Sequence, residues 1–171
     1  MKYDIVIYPD SRLREPCKPV VNINTEIQTL LSDMAETMYE ASGIGLAAPQ
    51  IGSKHRVIVV DVRDDEEEGR KGELLKLINP EIIKSSGKIS YEEGCLSIPH
   101  LREYVTRKKE ITVKAINEKE QEVVFDADGL LAICIQHEID HLDGILFIDR
   151  LSKLKKGLVK PKLRKLEEGL R

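Results

Sequence analysis

His137 and His141 stand four residues apart in LLAICIQHEIDHLDG, which begins at Leu130. On a helix that spacing puts both imidazoles on one face, about 5–6 Å apart at Cβ, where they can share a metal ion. Glu138 projects about 100° around the helix from His137, so it stands beside such an ion without ligating it. Two imidazoles and a carboxylate poised over a water form the pattern of metal-assisted hydrolysis. The plainer alternative is two helix histidines making ordinary hydrogen bonds. Leu130 to Ile135 weigh against it, because they are apolar almost all round and bury the helix. Buried histidines need partners, and a metal is a good one.

A catalytic metal usually takes three protein ligands and keeps one position for water. One protease pattern, HExxHxxGxxH, matches through Gly144 and then meets Phe147 where it needs His. Another protease class takes a downstream Glu, but the window Pro161 to Leu166 holds no acid. The cysteines are the remaining source. Cys134 lies seven residues before His141, about 10.5 Å along the helix axis, too far to share one ion; it reads as a small apolar pocket wall. Cys17, between Pro16 and Lys18, reads as structural. Cys95 lies in Glu92-Glu-Gly-Cys-Leu-Ser-Ile-Pro99. Gly94 permits close backbone approach, and Pro99 is expected to end any regular ladder soon after. The Cys95 thiolate would complete a Cys-His-His site, while a free thiol is equally compatible with the spacing.

The elements that must position these groups can be read from pattern. A chain of 171 residues, 41% hydrophobic and 33% charged, has the size and balance of one globular domain. It has no apolar run of transmembrane length, and its start is not expected to act as a signal peptide. Three cysteines point to a reducing compartment, the cytoplasm. Asn24 caps a helix striped by Ile27, Leu30, Leu31, Met34, Ala35 and Met38, ending near Ser42-Gly43. The segment 43–52 is too rich in Gly and Pro for regular structure throughout. Arg56 to Val62 is a buried strand. The acidic run in Arg63 to Glu73 reads as a solvated loop. Leu74 to Ile89 gives two short strands around Asn79-Pro80. Ile111 to Ile116 and Glu122 to Phe125 form a hairpin, and a helix runs from Asp128 or Gly129 to about Leu142. A basic helix fills Lys153 to Leu170, with a break or restart near Pro161. The expected class is α+β: short, mostly antiparallel strands around a central metal-binding helix, with a C-terminal helix.

Charge is divided unevenly. Nine Lys or Arg against two Glu give residues 150–171 a charge of +7, so the net −3 leaves −10 for residues 1–149. Five Tyr, two Phe and no Trp argue against a base-stacking platform. No phosphate-cradling or dinucleotide-binding glycine motif is present.

Gly43-Ile-Gly-Leu-Ala-Ala-Pro-Gln50, Glu93-Gly-Cys-Leu-Ser-Ile-Pro99 and Gln136-His-Glu-Ile-Asp-His141 resemble, in order, the three signature motifs of the peptide deformylases. The resemblance runs from Ile5 to about Lys165. It implies an iron-dependent hydrolase that removes the formyl group from N-formylmethionine of newly made bacterial or organellar proteins and releases formate. By that resemblance Cys95, His137 and His141 are the metal ligands and Glu138 the general acid and base. The side chain of Gln50 and the N–H of Leu96 hold the formyl oxygen. Ile44, Gly45 and Gly94 line the cleft and contact substrate backbone. Ile44, Tyr91, Leu130, Ile133 and Cys134 form the methionine pocket, and Arg102 stands near the rim. His100 follows the second motif where the family varies. Fe²⁺ is implied, with Zn²⁺, Ni²⁺ or Co²⁺ able to replace it. Nascent formyl-Met peptides are the implied partners. The chain is expected to be a monomeric single domain over 1–171. Its basic tail, from about 152 to 171, is either simply solvated or docks on ribosomal RNA. The alternatives are a metallopeptidase of another class, a cysteine hydrolase using Cys95, and a closed structural metal site.

Overall fold

The computed structural model describes residues 1–63 and 72–169. The acidic run expected to form a loop, Asp64 to Glu68, lies outside the described residues. Among the described residues, three α-helices and seven strands follow in chain order: α1 (Thr25–Glu40), β1 (Gly45–Ala47), β2 (Val57–Val60), β3 (Leu75–Ser86), β4 (Ile89–Cys95), β5 (Ile98–Arg107), β6 (Glu110–Ile116), β7 (Glu122–Asp128), α2 (Gly129–Leu142) and α3 (Lys153–Gly169). All named pairings are antiparallel. One sheet has the order β1-β2-β3-β6-β7, and β4 and β5 form a separate hairpin. This is the α+β arrangement expected from the pattern.

The side-chain period of a strand explains the long β-branched run in β2. Ile58 and Val60 pack with Ala132, Ile135 and Leu142 of α2, whereas Val57 and Val59 pack with Leu31, Met34 and Met38 of α1. Both faces are covered, so the strand has no polar face to show. Asn24 caps α1 as expected, its Oδ1 accepting from the N–H of Ile27 at 3.1 Å. A third apolar cluster joins Ile98, Leu101 and Val105 of β5 to Phe147, Ile148 and Val159, seating α3.

Three local expectations are corrected. Leu75 to Ser86 is one strand, because a register shift between Ile78 and Glu81 absorbs Asn79 and Pro80. Asn79 secures that irregularity by bonding both main-chain groups of Val20. Pro99 does not end the ladder; it lies inside β5, in a bulge that needs no N–H from it. Pro161 does not interrupt α3, which continues through it as a largely exposed helix.

The end of α2 is set by Gly144, whose φ of +75° continues the chain past the helix. A Cβ there would lie 2.5 Å from the carbonyl oxygen of Arg14. Gly144→Ala therefore combines a left-handed backbone with a main-chain clash. It should destabilise the fold by at least about 1–3 kcal/mol, read as a lower urea midpoint; an unchanged midpoint would contradict this packing.

Candidate metal centre

The apolar first half of α2 pushes its polar second half into the interior. His137, Glu138, Asp140 and His141 are all buried. The His137 and His141 rings lie 5.0 Å apart at their centroids. Cys95 ends β4, just before a two-residue turn, and its Sγ is 3.3 Å from His141 Nε2. One ligand atom from each of Cys95, His137 and His141 lies within 4.8 Å of the others. The three sequence candidates therefore converge on one point.

The surroundings suit a cation there. His137 Nδ1 is 2.9 Å from Glu93 Oε1, which leaves Nε2 for the centre and gives the ring the carboxylate partner that orients metal-binding histidines. Burial pulls the His137 pKa down, but the bonds to Cys95 and Glu93 outweigh it and raise it well above the ordinary value. The environment thus selects positive charge, which a proton or a metal ion can supply. Burial, reinforced by His137 and Arg107, drives His141 well below its ordinary value and keeps it in the neutral, ligating form. Burial also pushes Glu138 up to about 7, against the pull of His137 and Arg107. Its Oε2 is buried without a protein partner among the described residues. A carboxyl poised near neutrality can both take and return a proton.

Gln50 sits in a short 3-10 helix, Ala48–Ile51, entered through Ala47. Its Oε1 accepts from Ala47 N–H at 3.0 Å, so the amide cannot turn over without losing that bond. Nε2 faces the centre, donating to Ser97 Oγ at 3.2 Å and lying 3.6 Å from Cys95 Sγ. The N-terminal segment clamps this arrangement. Val6 N–H donates to Gln50 O, and Tyr8 N–H to Ser97 O.

A cavity of about 530 Å³ opens over these groups. Cys95, His137, Glu138 and Gln50 reach it, and His141 is fully buried behind them. Ile44, Gly45, Tyr91, Gly94, Leu96, Arg102, Leu130, Ile133 and Cys134 all line it, as do His100 and Leu101. A separate surface hollow over β3, β6 and β7 holds none of them. Gly45 brings β1 against α2: a Cβ there would lie 2.7 Å from Cys134 Sγ and 2.9 Å from Glu138 Oε1. Cys134 remains a thiol, its pKa raised well above the ordinary value by burial and then by Glu138.

The model of the polypeptide deformylase family matches residues 2–157. A peptide deformylase of Neisseria meningitidis is 48% identical over 165 residues, covering 96% of either chain. The chain belongs to the polypeptide deformylase family. Among solved structures, a Legionella pneumophila peptide deformylase is 43% identical with a TM-score of 0.87, over 98% of this chain and 96% of that one. One from Ehrlichia chaffeensis in complex with actinonin is 38% identical with the same TM-score, over 95% and 96%. Deformylase membership makes the chain a hydrolase that removes N-formyl groups from nascent peptides, and it disfavours the metallopeptidase alternative. Phe147, which broke the peptidase pattern, stacks on His137 with ring centroids 6.1 Å apart.

Sequence reasoning assigned no role to the deformylase's buried ionic supports. Arg107 donates to Glu93 at 2.6 and 2.9 Å and to Asp140 at 2.8 Å, and Asp140 also accepts from Arg150. Glu93 lies two residues before Cys95, hence on the same strand face, a signal that was available. Arg107 gave none, since it reads as part of a surface run with Lys108 and Lys109.

Burial raises the Glu93 carboxyl, but His137 and Arg107 win and hold it below its ordinary 4.5. Ionised Glu93 therefore stabilises the fold above that value, and the contribution is lost as pH falls through the lowered one. Glu93→Gln should cost about 3–5 kcal/mol at neutral pH by unpairing a buried cation. It should also lessen the fall of stability in acid. Urea unfolding across the acid range checks both; parallel pH curves for the two proteins would contradict the assignment.

Proposed function

We propose that Cys95, His137 and His141 hold one divalent metal ion, and that Glu138, Gln50 and the Leu96 N–H carry out deformylation beside it. The observation that carries this reading is the free carboxylate oxygen of Glu138, buried next to three converging ligand atoms. A divalent ion held there by Cys95, His137 and His141 would supply Lewis acidity and make the attacking water more acidic.

The residues supply the rest. Glu138 takes a proton from the attacking water as the new C–O bond forms at the formyl carbon. The oxygen that gains charge is met by Gln50 Nε2, which the Ala47 bond aims into the cavity, and by the main-chain N–H of Leu96 in the turn. Glu138 then gives its proton to the peptide nitrogen as the C–N bond breaks, releasing formate and a free α-amine. Ile44, Tyr91, Leu130, Ile133 and Cys134 receive the unbranched methionine side chain. Gly45 and Gly94 let the substrate backbone approach, and Arg102 borders the rim.

Sulfur and imidazole ligands suit several first-row metals. Fe²⁺ is the ion favoured by the family resemblance, with Zn²⁺, Ni²⁺ or Co²⁺ as replacements. Residues 1–171 act as one monomeric domain. Free thiols at Cys17, Cys95 and Cys134 fit the cytoplasm. No helix among the described residues is long and apolar enough to cross a membrane. The basic tail from about residue 152, with Leu154 and Leu158 exposed on α3, suits contact with ribosomal RNA through its phosphates.

Formate release from a formyl-Met peptide, measured anaerobically with added Fe²⁺, tests the reading. Glu138→Ala should keep the metal and lose at least about 10²–10⁴ in rate. Normal turnover in that variant would exclude Glu138 as the proton carrier. Gln50→Ala should lower kcat by about 10²–10³; a change confined to KM would remove Gln50 from the oxyanion site.

A further inference from the structure

The hairpin that carries Cys95 is irregular at one place. Gly94 pairs with Arg102, yet Cys95 pairs with Ile98, so Pro99, His100 and Leu101 bulge out of β5. Bulges beside active sites re-aim side chains. Here the bulge gives neighbouring residues of the cavity lining different exposures. Leu101 is buried against Phe147 and Val159 where the lining meets the core. His100 is exposed and lines the mouth of the cavity that holds Cys95, His137 and Glu138. Its φ is +65°, a left-handed conformation that a residue with a Cβ adopts only at a cost.

The other ionic groups of this cavity are accounted for. Arg102 donates to Glu92 Oε1 at 3.2 Å and to the Glu92 carbonyl at 3.0 Å. Glu93 is buried against Arg107. His137 and Glu138 lie deep and belong to the chemistry. His100 is therefore the basic side chain at the mouth with no acidic partner among the described residues. A formyl group that reaches Glu138 and Gln50 places the methionine in the cavity. An extended chain advances about 3.3 Å per residue, so the next residues must cross the mouth.

We infer that His100 is a specificity residue, favouring formyl-methionyl peptides with an Asp or Glu side chain in the first two positions after the methionine. The inference rests on the deformylase reading above. The contact is an exposed one between a His100 ring N–H and a carboxylate oxygen, which sets its size at about two- to fivefold. It acts on binding, so it belongs in KM and not in kcat.

The test compares formyl-Met peptides carrying Asp, Ala or Lys first or second after the methionine. The enzymes are the metal-loaded wild type, His100→Gly and His100→Glu. The wild type should favour Asp over Lys by about two- to fivefold in KM at one or both positions. His100→Gly, which suits the left-handed backbone, should lose that preference while its melting temperature holds or rises. His100→Glu should turn the preference toward Lys. Equal KM values for Asp and Lys in the wild type would overturn the inference, as would a preference that survives in His100→Gly. The Ala peptide separates the two readings. Its hydrolysis without any charge preference overturns the specificity role alone. Failure to release formate from it overturns the deformylase reading and this inference with it.

Discussion

Glu93 lies between a buried cation and a metal-binding histidine, and the geometry of the centre depends on that placement. Its carboxylate cannot be buried at tolerable cost without Arg107. With Arg107 it keeps a fixed acceptor opposite His137 Nδ1. The contacts form a ring. They leave α2 at His137, pass through Glu93 and Arg107 of the β4–β5 hairpin, and return to α2 at Asp140. One strand face therefore presents Cys95 to the centre and, two residues away, the group that orients a second ligand. Rotation of α2 would break the ring at two points, so the same ion pairs fix the ligands and the angle of Glu138.

The apolar framework does complementary work. β2 is covered by α1 and α2 on its two faces, which holds β1 and the segment leading to Gln50 against α2. Gly45 then lets main chain approach Glu138 more closely than any side chain would allow. A carboxyl in so dry a place titrates near neutrality chiefly for lack of water, with the nearby Glu93 carboxylate adding a smaller push in the same direction. Gln50 is controlled differently. Its amide is oriented by a main-chain N–H, so the donor end is presented by local geometry and does not wait for substrate.

The sequence revealed the elements whose cause is local. α1 follows from its Asn24 cap and apolar stripe, β2 from an unbroken β-branched run, and the β6–β7 hairpin from alternation around Asn117. α2 carries its own spacing of His137, Glu138 and His141. The three motifs also placed Cys95 and Gln50, which the fold brings to the same cavity. What stayed hidden depends on distant partners. β3 runs through Asn79 and Pro80 with a register shift that Asn79 secures by bonding Val20. The β4–β5 hairpin is masked by Gly94, Pro99 and many charges, and it is shaped by Leu101 and Val105 packing under α3. Arg107 becomes special only when Glu93 and Asp140 arrive beside it.

The two main-chain ties from Val6 and Tyr8 bear on how the enzyme comes into being. They join the start of the chain to Gln50 and Ser97, while the ligands on α2 are synthesised much later. These contacts span long stretches of sequence, and closing such loops is slow. During translation the chain holds Gln50 and Cys95 well before it has a helix to set them against. Activity must therefore await the synthesis of α2, which brings His137, Glu138 and His141 to the groups that the first residues already hold in place.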